Sequence, residues 1–213
     1  MTHEEYKKLS MKEFTKAAAI YEGEQAGIYE MCKKDYPDIQ AELECEPFSD
    51  LLDAGCGPAP MISLLSEKYP DRHYTGLDLT PAMIEQAKKK NIPNATFVVG
   101  DCENFPFADD SFDAIICSMS FHHYPNPQAF FDSVKRCLRT GGRLILRDVT
   151  SDNKMIIWFM NHVEFPLAHL MGHGDVHVPT RSLVEECCQK AGLQIEKFEI
   201  RRGMRLHCVV RKV

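Results

Sequence analysis

Between residues 49 and 149, short apolar runs alternate with amphipathic stretches, and this rhythm limits the possible folds more than anything else in the chain. The runs are "SDLLDA" (49–54), "HYTGLD" (73–78), "ATFVVG" (95–100), "FDAIICS" (112–118) and "GRLILRDV" (142–149). Helical spacing over 59–69, 80–91 and 127–139 separates them. Thr80-Pro81 suits a helix start, with a capping hydroxyl and then proline at the first helical position. Gly141-Gly142 suits a helix stop. Strands apolar on both faces, joined by helical crossovers, predict a parallel sheet with helices on both sides. Ligands of such sheets sit at the carboxyl ends of the strands.

The alternation ends after residue 149. A mixed segment leads to a predicted helix over 180–192 and two further runs, "LQIEKFEI" and "MRLHCVVRK". Arg202-Gly203 between them is too short for a crossover, so the two close the sheet as an antiparallel hairpin. Residues 3–45 are rich in Ala, Glu and Lys at helical spacing, with Gly23 and Gly27 as breaks. The expected organisation is an N-terminal helical cap (1–45) and one ligand-binding domain (46–213), in which 151–178 forms an insert.

The 213 residues carry a net charge of −6 and no block of Lys or Arg, which argues against a nucleic-acid partner. The charged N-terminus lacks the apolar core of a signal peptide, and no apolar run reaches the length of a membrane span. Nine cysteines, an odd number with no CxxC pair, are expected as reduced thiols in a cytoplasmic protein.

"LLDAGCGPAP" (51–60) runs a strand into a glycine turn that feeds a helix. Backbone N–H groups at such a turn bind anionic or polar ligands, and Gly55 and Gly57 permit close approach to the main chain. The turn is not GxGxxG, because Pro60 occupies the third place, and the Lys-Ser/Thr of a phosphate-binding P-loop is absent. Asp78 ends the second run, where a carboxylate can accept both hydroxyls of a ribose. Asp101, after Gly100, is placed to accept from an adenine amino group. The pattern therefore suggests a nucleoside with a loop-bound tail.

Together with "GLDLTPAMIEQAKKK", "VVGDCENFPFADDSFDAIICSMSFHHYPNP" and "VKRCLRTGGRLILRDV", this loop resembles the class I S-adenosylmethionine-dependent methyltransferases that act on small molecules. The resemblance covers residues 48–149 in order and spacing. It implies a doubly wound, Rossmann-like, mostly parallel seven-stranded α/β sheet with a terminal antiparallel hairpin. It implies S-adenosylmethionine as cofactor and direct displacement of its methyl by a small-molecule acceptor. Asp53, Gly55, Cys56 and Gly57 would line the methionine part. Asp78 would hold the ribose, with Leu79 against the adenine, and Asp101 and Cys102 would read the adenine edge. The carbonyl of Ser118 would meet the amino group, and Tyr21 the carboxylate. Many relatives have GxGxG in the loop, where this chain has Ala59.

His122 and His123 follow the fourth run, where the methyl should point, and are candidate catalytic residues able to take a proton from an acceptor. Trp158, Phe159 and His162, within 151–178, are candidate acceptor contacts in a pocket or lid. His173, Asp175 and His177 could ligate a metal, but no fuller ligand pattern supports one, and none is expected. Two other functions fit the same features. One is a non-catalytic S-adenosylmethionine-binding regulator, and the other a nucleotide-dependent oxidoreductase, which the missing glycine at 60 disfavours.

Overall fold

The computed structural model describes the backbone of residues 1–22 and 27–213, and the side chains of 1–22 and 29–213. Gly23, expected to break the N-terminal helical region, lies outside the described residues. Seven strands form one sheet: β1 (Asp50–Ala54), β2 (His73–Asp78), β3 (Ala95–Val99), β4 (Phe112–Ser118), β5 (Leu138–Val149), β6 (Gln194–Arg201) and β7 (Arg205–Arg211). Their order is β3-β2-β1-β4-β5-β7-β6. β1 to β5 are parallel, and β7 runs antiparallel between β5 and β6.

Apolar residues on alternate positions explain the layers. Leu52, Ile115, Cys117, Leu144 and Leu146 face one side, where α6 (Pro127–Cys137) and α9 (Arg181–Ala191) bury Phe130, Val134, Val184 and Cys187. Leu51, Ala114, Ile116 and Ile145 face the other, under α3 (Tyr36–Glu44), α4 (Pro60–Lys68) and α5 (Pro81–Lys89). The remaining helices are α1 (His3–Ala17), α2 (Gly27–Lys33), α7 (Lys154–Phe159) and α8 (Phe165–Met171), with a π-helical stretch over Met160–Glu164 joining the last two. Pro166, in the first turn of α8, has no N–H to give and disfavours regular helix just upstream, which accounts for the π stretch.

One expected boundary needs correction. The sixth helix ends at Cys137, and Gly141 and Gly142 lie inside β5 rather than stopping that helix. There the strand bulges against β4, the pairing jumping from Phe112↔Leu138 to Ala114↔Arg143, with Gly141 at φ +81°. Thr80 precedes α5, but its side chain makes no capping bond.

α3 is fastened to the sheet by charge as much as by packing. Asp35, Asp38 and Glu42 recur at helical spacing and meet basic residues of β5, β6 and β7. Arg147 Nη2 donates to Asp35 Oδ1 at 2.7 Å and reaches Asp38 at 2.8 Å, while Arg205 Nη1 reaches Asp35 at 3.2 Å. Glu42 takes Lys197 at 2.6 Å and His207 at 3.0 Å. Asp35 is fully buried, and burial holds its carboxyl above the usual range despite the two guanidinium groups. Asp35→Ala is expected to strand Arg147 without a buried partner and cost about 3–5 kcal/mol. Urea unfolding should show this as a lower midpoint.

Candidate active site

The chain order reverses between β1 and β4, and the crevice this leaves opens at the carboxyl ends of the strands. The loop after β1 turns sharply there. Gly55 has φ +80°, and a Cβ on it would sit 2.0 Å from Ser120 Oγ, so only glycine fits. Gly57 is also left-handed, at φ +53°, but faces open space. Ala59 stands at φ +59°, where glycine is the unstrained choice.

Asp78 locks this loop to the end of β2. Its Oδ2 accepts from the Gly57 N–H at 2.9 Å and its Oδ1 from the Thr80 N–H at 2.8 Å. Burial still holds its carboxyl above the ordinary range. Asp53, on β1 beneath the loop, is 4 % exposed; burial and then the nearby Asp78 raise its pKa to about 7.

The cleft is lined by Gly55, Asp78, Leu79, Asp101 and Cys102, five of the residues expected from the sequence to hold the cofactor. The others lie around it. Cys56 is buried and packed on Gly76, while Gly57 is tied to Asp78. Gly100 has no room for a side chain between Leu77 and Pro106, and Ser118 ends β4 with a buried, unpartnered Oγ. Tyr21 stays away from the cleft wall, its hydroxyl against Cys32 Sγ at 3.5 Å.

Sequence reasoning missed the roof of the cleft. Lys7, Ser10 and Phe14, one turn apart on α1, project into it. Lys7 Nζ reaches Asp101 at 2.7 Å and Glu103 at 2.5 Å. Only about 60 Å³ remains beneath the helix, well under the roughly 300 Å³ at which ligand pockets begin. Ser120 and Tyr124, hydrogen bonded at 2.7 Å, complete the floor. The 3-4 spacing of Lys7, Ser10 and Phe14 was readable as a helix face, but nothing in the sequence said what that face covers.

His122 and His123 occupy a 3-10 turn after β4 (Phe121–His123) and point to different cavities. His123 lines the cleft. His122 lines a second cavity of about 410 Å³, with Phe159, Met160, Phe165, Met204 and Asp175. Asp148, at the end of β5 and fully buried, accepts from the His122 ring Nδ1 at 2.6 Å and from its main-chain N–H at 3.1 Å. Burial opposes the charged form of His122, but Asp148 and Asp175 outweigh it and hold its pKa above the ordinary value. Burial, with His122 alongside, drives the pKa of His123 down to about 4.

The candidate acceptor residues separate. Phe159 faces the 410 Å³ cavity. Trp158 and His162 stack on each other, centroids 5.1 Å apart, along a groove on the opposite side of the helix. The proposed cluster of His173, Asp175 and His177 does not form. His173 pairs with Glu13 of α1 at 2.6 Å, Asp175 turns to His122 and His123, and His177 packs edge-on against Phe121 at 5.0 Å. The i, i+2, i+4 spacing would put the three on one face of a strand, but residues 173–180 form no regular strand and each side chain meets a different partner.

The seven-stranded sheet has the fold of S-adenosylmethionine-dependent methyltransferases of known structure. Residues 52–146 of this chain match the model of the family described as "Methyltransferase domain". The chain is 37% identical over 121 residues to the phthiotriol/phenolphthiotriol dimycocerosates methyltransferase of Mycobacterium leprae, covering 56% of this chain and 45% of that protein. It is 33% identical over 115 residues to the demethylmenaquinone methyltransferase of Thermotoga maritima, covering 54% and 49%. The chain thus spans about half the length of the curated relatives it matches. Among solved structures, a chain from the complex between the Haloferax volcanii Trm112 methyltransferase activator and a putative methyltransferase superimposes with TM-score 0.72 at 19% identity, covering 94% of this chain and 97% of that one. A putative methyltransferase from Bacillus halodurans gives 0.66 at 24% identity, covering 78% and 71%.

The buried Asp53 yields a test. Its carboxyl has a higher pKa folded (about 7) than unfolded (about 3.9), so its contribution to stability is full below about pH 4 and is lost as pH rises through 7. Asp53→Asn is therefore expected to melt above the parent at pH 8, by an amount of order 2–4 kcal/mol. The gap should narrow between pH 7 and 5, as read by melting curves of both proteins across that range.

Proposed function

We propose that this chain transfers the methyl group of S-adenosylmethionine to a small, largely apolar acceptor. The observation that carries this reading is the pairing of two cavities: a cleft at the glycine loop with Asp78 and Asp101 in its wall, and a mostly apolar one of about 410 Å³, with the adjacent His123 and His122 facing one each. The relatives named for phthiotriol and demethylmenaquinone methylation support an apolar acceptor.

The residues at hand suit the cofactor chemically. Asp78 spends one lone pair of each oxygen on main-chain N–H groups and keeps others for ribose hydroxyls. The carboxylates of Asp53 and Asp78 complement a cationic tail, and Leu79 and Cys102 offer apolar walls. Room is the missing element, so α1 must lift and release Lys7 from Asp101 before a nucleoside enters. When bound, S-adenosylmethionine supplies a sulfonium-activated methyl, so the protein's tasks are alignment and exclusion of water. Phe14 and Ser10, returning over the cleft, would exclude water. Phe159, Met160 and Phe165 would hold the acceptor's apolar body, and His122, oriented by Asp148, stands where the acceptor's reactive group enters.

Calorimetric titration with S-adenosylmethionine and S-adenosylhomocysteine tests the reading first. Binding at roughly micromolar Kd, weakened at least tenfold in Asp78→Ala, is expected. No binding by folded protein would overturn the proposal. Once an acceptor is found by screening long-chain alcohols and quinols, Phe159→Asp should lower kcat/KM for it at least tenfold with unchanged S-adenosylhomocysteine affinity. Trp158→Ala, on the other side of the helix, should leave both within twofold.

A further inference from the structure

We infer that His122, His123 and Asp175 form a site for one divalent transition-metal ion of the zinc type, set in the wall between the cleft and the apolar cavity. One ligand atom from each of the three lies within 4.8 Å of the others. His122 Nε2 is 3.3 Å from Asp175 Oδ1, and His123 Nδ1 is 3.8 Å from the same oxygen. Zinc bonds of about 2.0–2.1 Å arranged tetrahedrally put neighbouring ligand atoms roughly 3.3–3.4 Å apart. Of the three pair distances one already fits, the second is about 0.4 Å too long, and the two histidine nitrogens, within 4.8 Å of each other, complete the triangle once the side chains draw in around an ion. Two imidazoles and a carboxylate are donors that zinc accepts.

The surroundings point the same way. Asp148 occupies His122 Nδ1 and so directs Nε2 at the shared point, the arrangement that fixes ring and tautomer in metal-binding histidines. His123 Nδ1 is buried and has no hydrogen-bond partner among the described residues, an orphan atom where a third ligand is needed. Asp175 is delivered by main chain: the N–H groups of Val176 and His177 donate to the His122 carbonyl at 2.9 and 3.3 Å. The backbone pairing that positions the carboxylate therefore involves the residue it joins in the site.

Three protein ligands leave a fourth position, and His122 and Asp175 both line the apolar cavity, so that position opens toward it. This is the layout of catalytic rather than structural zinc sites. If the methyl-transfer reading holds, on which this part rests, an acceptor hydroxyl or thiol at the open position gives up its proton more readily, because the cation stabilises the anion left behind.

The test uses the full chain, freed of metal by dialysis against a chelator, and titrated with Zn²⁺ alone in competition with a chromophoric chelator. Co²⁺ titration followed by visible absorption reports the ligands. One equivalent bound is expected, with the weak d–d bands of a nitrogen and oxygen site. Asp175→Asn and His123→Gln should each weaken binding at least tenfold while circular dichroism stays native, and Asp148→Asn should weaken it by roughly 10-fold or more. No stoichiometric binding, binding unchanged in Asp175→Asn and His123→Gln, or the intense near-ultraviolet band of cysteine thiolate ligation would overturn the site. S-adenosylhomocysteine binding to the metal-free protein, measured separately, is expected to persist. Its loss would count against the methyl-transfer reading and leave the metal result standing on its own.

Discussion

The organisation of the site depends on the two hydrogen bonds that Asp78 accepts. Through Gly57 and Thr80 it joins the loop after β1 to the loop after β2, the two turns that flank the point where the sheet reverses its winding. A buried carboxylate in an apolar core would be costly; main-chain N–H donors on both oxygens offset that cost and hold the loop in its left-handed turns. Those turns at Gly55, Gly57 and Ala59 shape the edge of the crevice, while the loop N–H groups are spent on Leu77, Asp78 and Cys56. Asp53 is buried beneath the same loop, where burial and then the charge of Asp78 raise its pKa to about 7.

The N-terminal helices serve this crevice in different ways. α3 belongs to the body of the protein, its acidic face tied to Arg147, Arg205, Lys197 and His207 and its apolar face packed on β1 and β4. α1 lies over the strand ends, where Lys7 satisfies Asp101 and Glu103. Its hold on the segment at residues 173–174 through Glu13 and Ser10 couples the roof of the cleft to the segment that carries Asp175. Motion of α1 would be felt at the histidine pair.

The histidine pair divides two environments. His122 is clasped between carboxylates that favour its charged form, and burial pushes the pKa of His123 down to about 4, although the two are adjacent in sequence and their rings are 4.1 Å apart. The buried Asp148 makes this difference, because it favours the cationic ring it touches and leaves its neighbour to pay the desolvation and like-charge cost.

Most of the sheet was legible in the residues. Alternating apolar positions such as Leu51/Leu52 and Ile115/Ile116 mark strands buried on both faces, and the short link at Arg202-Gly203 permits only a hairpin. The glycine loop and Asp78 were legible for the same reason: local backbone geometry and strand-end position follow from short-range pattern. The bulge at Gly141-Gly142 was not, since a glycine pair reads alike as a helix stop or a strand irregularity, and only pairing with β4 distinguishes them. Nor was the charged seam of α3, where Asp35, Asp38 and Glu42 share a helix face but meet partners more than a hundred residues away. By itself the sequence determined the α/β winding, the crevice and the loop that shapes it, because periodicity and turn chemistry act over a few residues. Only the tertiary structure decided that α1 roofs the crevice, that Phe159 and Trp158 face opposite ways, and that Asp175 joins His122 and His123 rather than His173 and His177. Those are contacts between distant segments, settled by how the layers pack.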